Sequence, residues 1–343
     1  MPSLRLRRGA AVLSLATASV LALTACSTGT PPAAGGTGAS GGAFPATVEH
    51  VYGKTVIESA PKNVAAIGWG SFDAAIALGT VPVTIPKATF GDSDGDGYLQ
   101  WTKEALTSEK AKLPALHDET DGIPYEKIAD TAPDLILGAN SGLTKQEYDT
   151  LTKIAPTVAY PGAPWGTSWR ESTTMIGAAL GKAAEAEALI ADTEKAMSTE
   201  MAKYPAATGK TGMVMWVDAK DLGKVQYYTP SDTRVQYLND LGFATPQSIK
   251  DLAKGEKGFV GTISAEQADR LDADVAVIYV QGGDLSTLQK DPLLSRIPAV
   301  KKGAVALMDD EALLMAVSAP TVLSIPWALP TYAKMLGEAA AKA

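Results

Sequence analysis

Among 343 residues the chain has a single cysteine, Cys26, so no disulfide framework within the chain is open to it. It has only two histidines, His50 and His117, far apart and without an H-E-x-x-H pair, which removes the usual basis of a hydrolytic zinc site. Positive charge is also in deficit: 30 lysines and arginines face 38 aspartates and glutamates, a net charge of −8. That balance argues against a nucleic-acid partner, which calls for a basic face. It leaves an anionic ligand open, because a pocket can be locally basic. Phosphate-binding and nucleophile signatures are missing too. Gly209-Lys210-Thr211 has Tyr204 where a phosphate loop needs its first glycine, and a helical rather than a strand pattern precedes it. Gly68-Trp69-Gly70-Ser71 has the wrong order for a G-x-S-x-G elbow. No catalytic residue, cofactor or metal ligand is therefore assigned, and the chain reads as a non-enzyme.

Long hydrophobic runs are absent as well. The one candidate, Ala10 to Leu23, is too short for a comfortable membrane span and follows Arg5, Arg7 and Arg8, the order of a secretory leader. Leu23-Thr24-Ala25-Cys26 then has the form of a bacterial lipobox. Resemblance to lipoprotein signals implies cleavage before Cys26 and lipidation of that cysteine; an ordinary signal peptide with an incidental cysteine is the alternative. Loss of residues 1–25 leaves 27 basic and 38 acidic residues, a net charge of −11. Residues 26–43, rich in glycine, serine, proline and alanine, read as a flexible tether. An anchor and a tether favour capture or transport on the outer face of a cell membrane, in the style of a Gram-positive envelope.

With hydrophobic residues at 46% and charged residues at 20%, the rest is an ordinary globular protein with ample core, long enough for about two domains. Its organising stretch is Lys182–Tyr204. Ala183, Ala186, Ile190, Thr193, Met197 and Met201 recur at helical spacing, and Tyr204-Pro205 ends the run. Such a rod spans roughly 35 Å at 1.5 Å per residue. On either side, short β-branched strands alternate with helices. Before it lie strands at 64–67, 81–86, 134–138 and 157–161; after it, at 213–217, 225–229, 274–280 and 304–309. Helices open at Ser71, Pro124, Leu143, Ser168 (with Glu171 completing a capping box), Pro230 and Ile263, and Gly181 separates the rod from the helix before it. The expected architecture is α/β: two lobes of mostly parallel sheet flanked by helices, 44–181 and 205–343, joined by the helix 182–204, with a ligand cleft between them.

Three smaller patterns bear on function. Strand, glycine loop and helix N-terminus at 64–71 suit a ligand at the carboxyl end of a strand, with Trp69 in the loop. Gly91 to Gly97, GDSDGDG, imitates the start of an EF-hand loop, yet the twelfth position counted from Asp92 is Lys103 and Glu104 is one place late. A polar cleft loop is the better reading. GIPYEKIADTAPDLILG (122–138) and GTISAEQADRLDADVAVIYV (261–280) echo one another, with equal spacing from Glu126 to Asp134 and from Glu266 to Asp274. His117 reads as a surface loop residue. After the leader only four arginines remain, Arg170, Arg234, Arg270 and Arg296. Arg170 and Arg234 stand beside aromatic residues at helix starts, where a guanidinium fork suits carboxylate, hydroxamate or catecholate oxygens. Arg296 reads as surface.

From Pro61 to about Gly337 the chain resembles the periplasmic binding proteins that serve iron–siderophore ABC transporters. The resemblance rests on PKNVAAIGWGSFDAAIALG, GIPYEKIADTAPDLILG, SGLTKQEYDTLTKIAPTVAYPG, IGAALGKAAEAEALI, SAEQADRLDADVAVI and LSIPWAL, specific in order and spacing rather than singly. It implies two α/β lobes bridged by one long helix with modest closure, a ferric siderophore as ligand, and an ABC permease dimer with a cytoplasmic ATPase as partner. It further implies one permease-docking glutamate per lobe, falling here on Glu126 and Glu266; stabilisation of a helix dipole by a first-turn glutamate is compatible with that role. For the cleft it suggests aromatic residues and arginine, here Trp69, Trp165, Arg170, Trp216, Tyr228, Arg234 and Trp327. A monomer is expected. A haem or corrinoid receptor of the same fold, and a membrane-anchored hydrolase, are the other readings.

Overall fold

Strand β1 (Ala46–His50) pairs antiparallel with β2 (Gly53–Ile57) in a hairpin that the strand–helix alternation did not include. The computed structural model describes residues 44–343; the leader, Cys26 and the tether lie outside the described residues. Next come β3 (Val64–Ala66), α1 (Ser71–Ala77), β4 (Thr84–Pro86), α2 (Gln100–Ser108), β5 (Ala115–His117), α3 (Tyr125–Asp130), β6 (Leu135–Leu137), α4 (Lys145–Leu151), β7 (Thr157–Val158) and α5 (Trp169–Ala179). Their strands form a parallel sheet in the order β5-β4-β3-β6-β7. The winding reverses between β3 and β6, and such a switch point opens a crevice beyond the carboxyl ends of the strands. Side-chain and backbone caps fix two helices of this sheet: Thr144 with Glu147 closes a capping box at α4, and Ser168 with Glu171 closes one at α5.

The second half continues with α6 (Ala183–Met201), β8 (Gly212–Asp218), β9 (Lys224–Tyr228), α7 (Thr233–Asp240), α8 (Gln247–Leu252), β10 (Val260–Ser264), β11 (Val275–Gln281), α9 (Leu285–Lys290), α10 (Pro298–Lys302), β12 (Val305–Leu307), α11 (Glu311–Ser318) and α12 (Ser324–Ala340). Its sheet runs β10-β9-β8-β11-β12; β8, β11 and β12 are parallel, whereas β9 is antiparallel to both its neighbours. This sheet is mixed rather than mostly parallel. The cause is the connection: 219–223 is far too short for the crossover that a parallel neighbour requires. Ile263 and Ser264 belong to β10, and the helix expected there is a 3₁₀ segment, Ala265–Arg270, capped by Ser264.

The rod α6 lies in the chain between the two sheets. It buries Ala186, Thr193 and Met197, with Ile190 and Met201 half-buried, but Ala183 in its first turn is exposed. Gly181, at φ +67°, separates it from α5. The two helices approach so closely that a β-carbon on Gly177 would overlap the Ala186 side chain, which is why glycine stands there. α12 returns to pack on α6, and one continuous apolar cluster runs from Val64 and Phe72 through Ile176, Ala186 and Met197 to Val214, Tyr237 and Tyr332. Two lobes sharing one core are held close to a single relative placement.

Candidate ligand-binding cleft

Two contiguous cavities lie between the sheets, of about 370 and 290 Å³, and share Trp69, Phe90 and Met315. The larger is lined from the carboxyl ends of β3, β4, β5 and β6, the position the switch point dictates. The smaller is lined from β8, β9, β11, α7, α11 and α12.

Trp69 is 43% exposed, an unusual position for so large an apolar surface. Its loop is rigid. Gly68 has φ +67°, and a β-carbon there would lie 2.6 Å from Asn140 O, while the Trp69 amide donates to the same carbonyl at 2.9 Å. Trp165, 39% exposed, has its ring 5.0 Å from that of Trp69 at a 48° tilt. It has φ +60°, the left-handed region that bulky residues avoid, and its amide donates to Ser141 O at 3.0 Å. A strained residue held against solvent by its neighbours is the signature of a functional constraint. Its indole lies against Gly142, where any β-carbon would overlap it. Gly142→Ala should therefore displace the Trp165 ring and weaken ligand binding by about tenfold, roughly 1.4 kcal/mol, with little change in melting temperature. Fluorescence titration beside thermal unfolding checks both halves.

Across the cleft, the Arg234 guanidinium stacks on Tyr228 at 4.5 Å. Its NH1 donates to Asp232 Oδ2 at 3.0 Å and its Nε to Ser318 Oγ at 3.1 Å. Asp232, nearly buried, is also the N-cap of α7 and accepts from the Arg234 amide at 2.8 Å. Burial raises the Asp232 carboxyl, against the opposing charge and hydrogen bonds of Arg234. The fork is thus fixed on two sides, while NH2 makes no hydrogen bond among the described residues, and Arg234 lines the smaller cavity together with Trp216, Tyr228 and Tyr279. That geometry presents a preorganised donor to an oxygen ligand.

The floor of the cleft carries Asp73, wholly buried. Its Oδ2 accepts from Trp101 Nε1 and Thr321 Oγ1 and its Oδ1 from Thr102 Oγ1, each at 2.7 Å. Burial outweighs these three bonds and pushes its pKa up to about 6. Thr321 lies three residues before the start of α12, so this carboxyl ties the first sheet's helices to the C-terminal segment.

Two residues expected in the cleft lie outside it. Arg170 stacks on Trp169 at 4.3 Å and is paired with Glu194 on α6 at 2.5 Å and Asp240 on α7 at 2.7 Å. Trp169 Nε1 also donates to Asp240, at 2.9 Å, so this cluster clips α5 to α6 and α7, and Arg170 lines neither cavity. Trp327 packs on Trp101 at 5.4 Å, half-buried in the contact between α12 and α2. His117 is not a surface residue: it ends β5, is 2% exposed, and bonds Thr84 Oγ1 at 2.8 Å and Glu119 Oε1 at 3.0 Å. Trp69 and Trp165 line the larger cavity; Trp69 again, Trp216, Tyr228 and Arg234 line the smaller. Glu126 and Glu266 are exposed in the first turns of α3 and of the 3₁₀ segment, and neither joins an ion pair among the described residues. In the acidic loop Lys103 neutralises Asp94, at 2.6 Å, and Asp96, and Asp92 accepts from the Gly95 and Gly97 amides at 2.9 and 2.7 Å. Arg296 pairs with Asp269 at the surface.

Phe90, Glu119 and Met315 were missed by the sequence reading. Phe90 had a local signal, an aromatic residue against a polar glycine-rich turn. Gly91 meets Met315 so closely that a β-carbon would lie 2.6 Å from the Met315 side chain, which carries this loop across the cleft.

The sequence pattern described as periplasmic binding protein matches residues 64–312, most of the chain. The chain belongs to the periplasmic binding protein family. Among solved members, Streptococcus pneumoniae PiaA in complex with ferrichrome is 41% identical, with a TM-score of 0.81 over 87% of this chain and 99% of that one. A periplasmic solute binding protein from Mycobacterium smegmatis is 27% identical, with a TM-score of 0.71 over 86% and 98% of the two chains. The iron(3+)-hydroxamate-binding protein YxeB of Bacillus subtilis is 28% identical over 58% of this chain; the match spans 63% of that relative, less than two thirds of its length. These relatives are solute-binding proteins rather than enzymes, and their bound molecules are ligands rather than cofactors. The two-lobed α/β fold is that of siderophore binders in this family.

Proposed function

We propose that this protein is a lipid-anchored extracytoplasmic receptor that captures a ferric siderophore of the hydroxamate class and delivers it to an ABC permease dimer driven by a cytoplasmic ATPase. The observation that carries this reading is the cleft itself: a paired, exposed indole wall on one side faces one preorganised guanidinium edge on the other. A ferric hydroxamate brings its own iron ligands and presents apolar chain and carbonyl-type oxygens, which this wall and this edge complement. The likeness to the ferrichrome-bound PiaA supports the class.

In this reading residues 1–25 are the signal, Cys26 the lipidated residue, 26–43 the tether, and 182–204 the helix between lobes 44–181 and 205–343 of a monomer on a Gram-positive membrane. Tryptophan-fluorescence titration of the form beginning after Cys26, against ferric hydroxamates, ferric catecholates, ferric citrate, haem and cobalamin, should show saturable quenching by a hydroxamate complex recovered unchanged. Saturation by haem or cobalamin alone, or a chemically altered ligand, refutes it.

Glu126 and Glu266 are the proposed docking anions, one for each half of a two-fold partner. Truncating a charge at such an interface costs about 2 kcal/mol or more. The double alanine variant should therefore lose most iron uptake in cells while its affinity for the ligand stays at the parent value. Loss of ligand binding in the purified variant would sink the docking assignment.

A further inference from the structure

The larger cavity is apolar and aromatic along most of its wall, and Glu119 enters that wall beside the stem of the Trp69 loop. Both its oxygens are held. Oε1 lies 3.0 Å from His117 Nε2, and Oε2 accepts from the Gly68 amide at 3.1 Å. His117 is buried and anchored to Thr84 on β4, so this partner of Glu119 cannot turn away. A surface glutamate turns away from an unwelcome neighbour; this one would lose two hydrogen bonds by doing so. It remains 22% exposed, and each oxygen keeps a lone pair for the cavity.

The charge around it is not that of an anion trap. Of the cations lining the two cavities, Lys87 is exposed and Arg234 is already paired with Asp232, while Glu147 and the buried Asp73 add two further carboxyl groups to the cavity that Glu119 lines. A fixed charge beside low-dielectric walls acts more strongly on a ligand than the same charge in water.

We propose that Glu119 sets the charge selectivity of the cleft, admitting neutral and cationic ferric hydroxamates and rejecting ferric complexes whose chelator carries free carboxylates or catecholates. The proposal rests on the siderophore-receptor reading. It assigns a specificity role that anchoring of the Gly68–Trp69 loop would not produce, since an anchor alone changes all ligands alike.

The test compares the full chain in detergent with its Glu119→Gln variant. The probes are ferrichrome (neutral), ferrichrome A (a related cyclic hexapeptide with three carboxylates) and ferrioxamine B (a cation through its free ammonium). Glutamine keeps an acceptor for the Gly68 amide and removes the charge. Affinity for ferrichrome should stay nearly constant, affinity for ferrichrome A should rise about tenfold, and affinity for ferrioxamine B should fall, each measured relative to the parent. A common shift of all three, or no shift, overturns the charge role while leaving the receptor reading intact. If the parent binds none of the three, the receptor reading fails and this proposal with it. Should the variant not fold, the parent alone decides: rising salt should tighten ferrichrome A and leave ferrichrome unchanged, and salt-independent discrimination overturns the proposal.

Discussion

Asp73→Ala should lower the melting temperature by about 10 °C, the consequence of losing roughly 3–5 kcal/mol in a protein of this size. Alanine strands three donors at once: the Trp101 indole and the Thr102 and Thr321 hydroxyls, all bonded to Asp73 inside the protein. A buried donor without a partner costs about 1–3 kcal/mol. Asp73→Asn behaves differently. An amide oxygen in place of Oδ2 still accepts from Trp101 and Thr321, and the amide nitrogen donates to Thr102, whose hydroxyl can accept. The pH dependence separates the two substitutions. Burial raises the folded-state pKa from 3.8 to about 6, so the native protein holds this proton more tightly than the unfolded chain does. The associated stability is present below the unfolded value and is lost as pH rises through about 6, at most about 3 kcal/mol over that window. Denaturant unfolding at a series of pH values should show the parent falling relative to Asp73→Asn between those limits. Parallel profiles would mean that Asp73 does not titrate there.

The second large effect concerns affinity. Trp69→Ala and Trp165→Ala should each weaken ligand binding by about thirtyfold to a hundredfold, the roughly 2–3 kcal/mol typical of a tryptophan hot spot. The double variant should lose less than the sum, because the two rings are in contact and one supports the other. Neither change should cost much stability, since both side chains stand partly in solvent. Trp165→Gly goes further. It removes the positive-φ strain, roughly 1 kcal/mol, so the variant should hold or gain stability while losing affinity. Calorimetric titration with a ferric hydroxamate and thermal unfolding of the same samples measure both. Equal losses of stability and affinity would place these rings in the core rather than in the site.

Much of this was legible in the chain because it is local. The α6 stripe follows from side-chain spacing, the Ser168–Glu171 cap from a three-residue interval, and the inner strands β3, β6, β8 and β11 from uninterrupted apolar runs that only doubly buried strands show. What was hidden is tertiary. Arg170 and Arg234 have the same local setting, a guanidinium beside an aromatic ring at a helix start. They differ in placement: Glu194 and Asp240, on other helices, hold the first in a clip between helices away from both cavities, whereas Asp232 and Ser318 fix the second on the wall of the smaller one. Trp327 was expected in the cleft, and α2 supplies Trp101 as its partner instead. His117 and Glu119 depend on the three-residue strand β5, too short to leave a periodic signal, which turns the histidine inward. The antiparallel β9 was implicit in the shortness of 219–223, a constraint on connection rather than on pattern.

The most direct test of the account is a crystal structure of the protein with ferrichrome bound. An intact ferric complex is expected in the joined cavities, its face against the Trp69 and Trp165 indoles and a hydroxamate oxygen within hydrogen-bonding distance of Arg234 NH2. A complex seated elsewhere, or a cleft that stays empty while the solution is saturated with ligand, would contradict it.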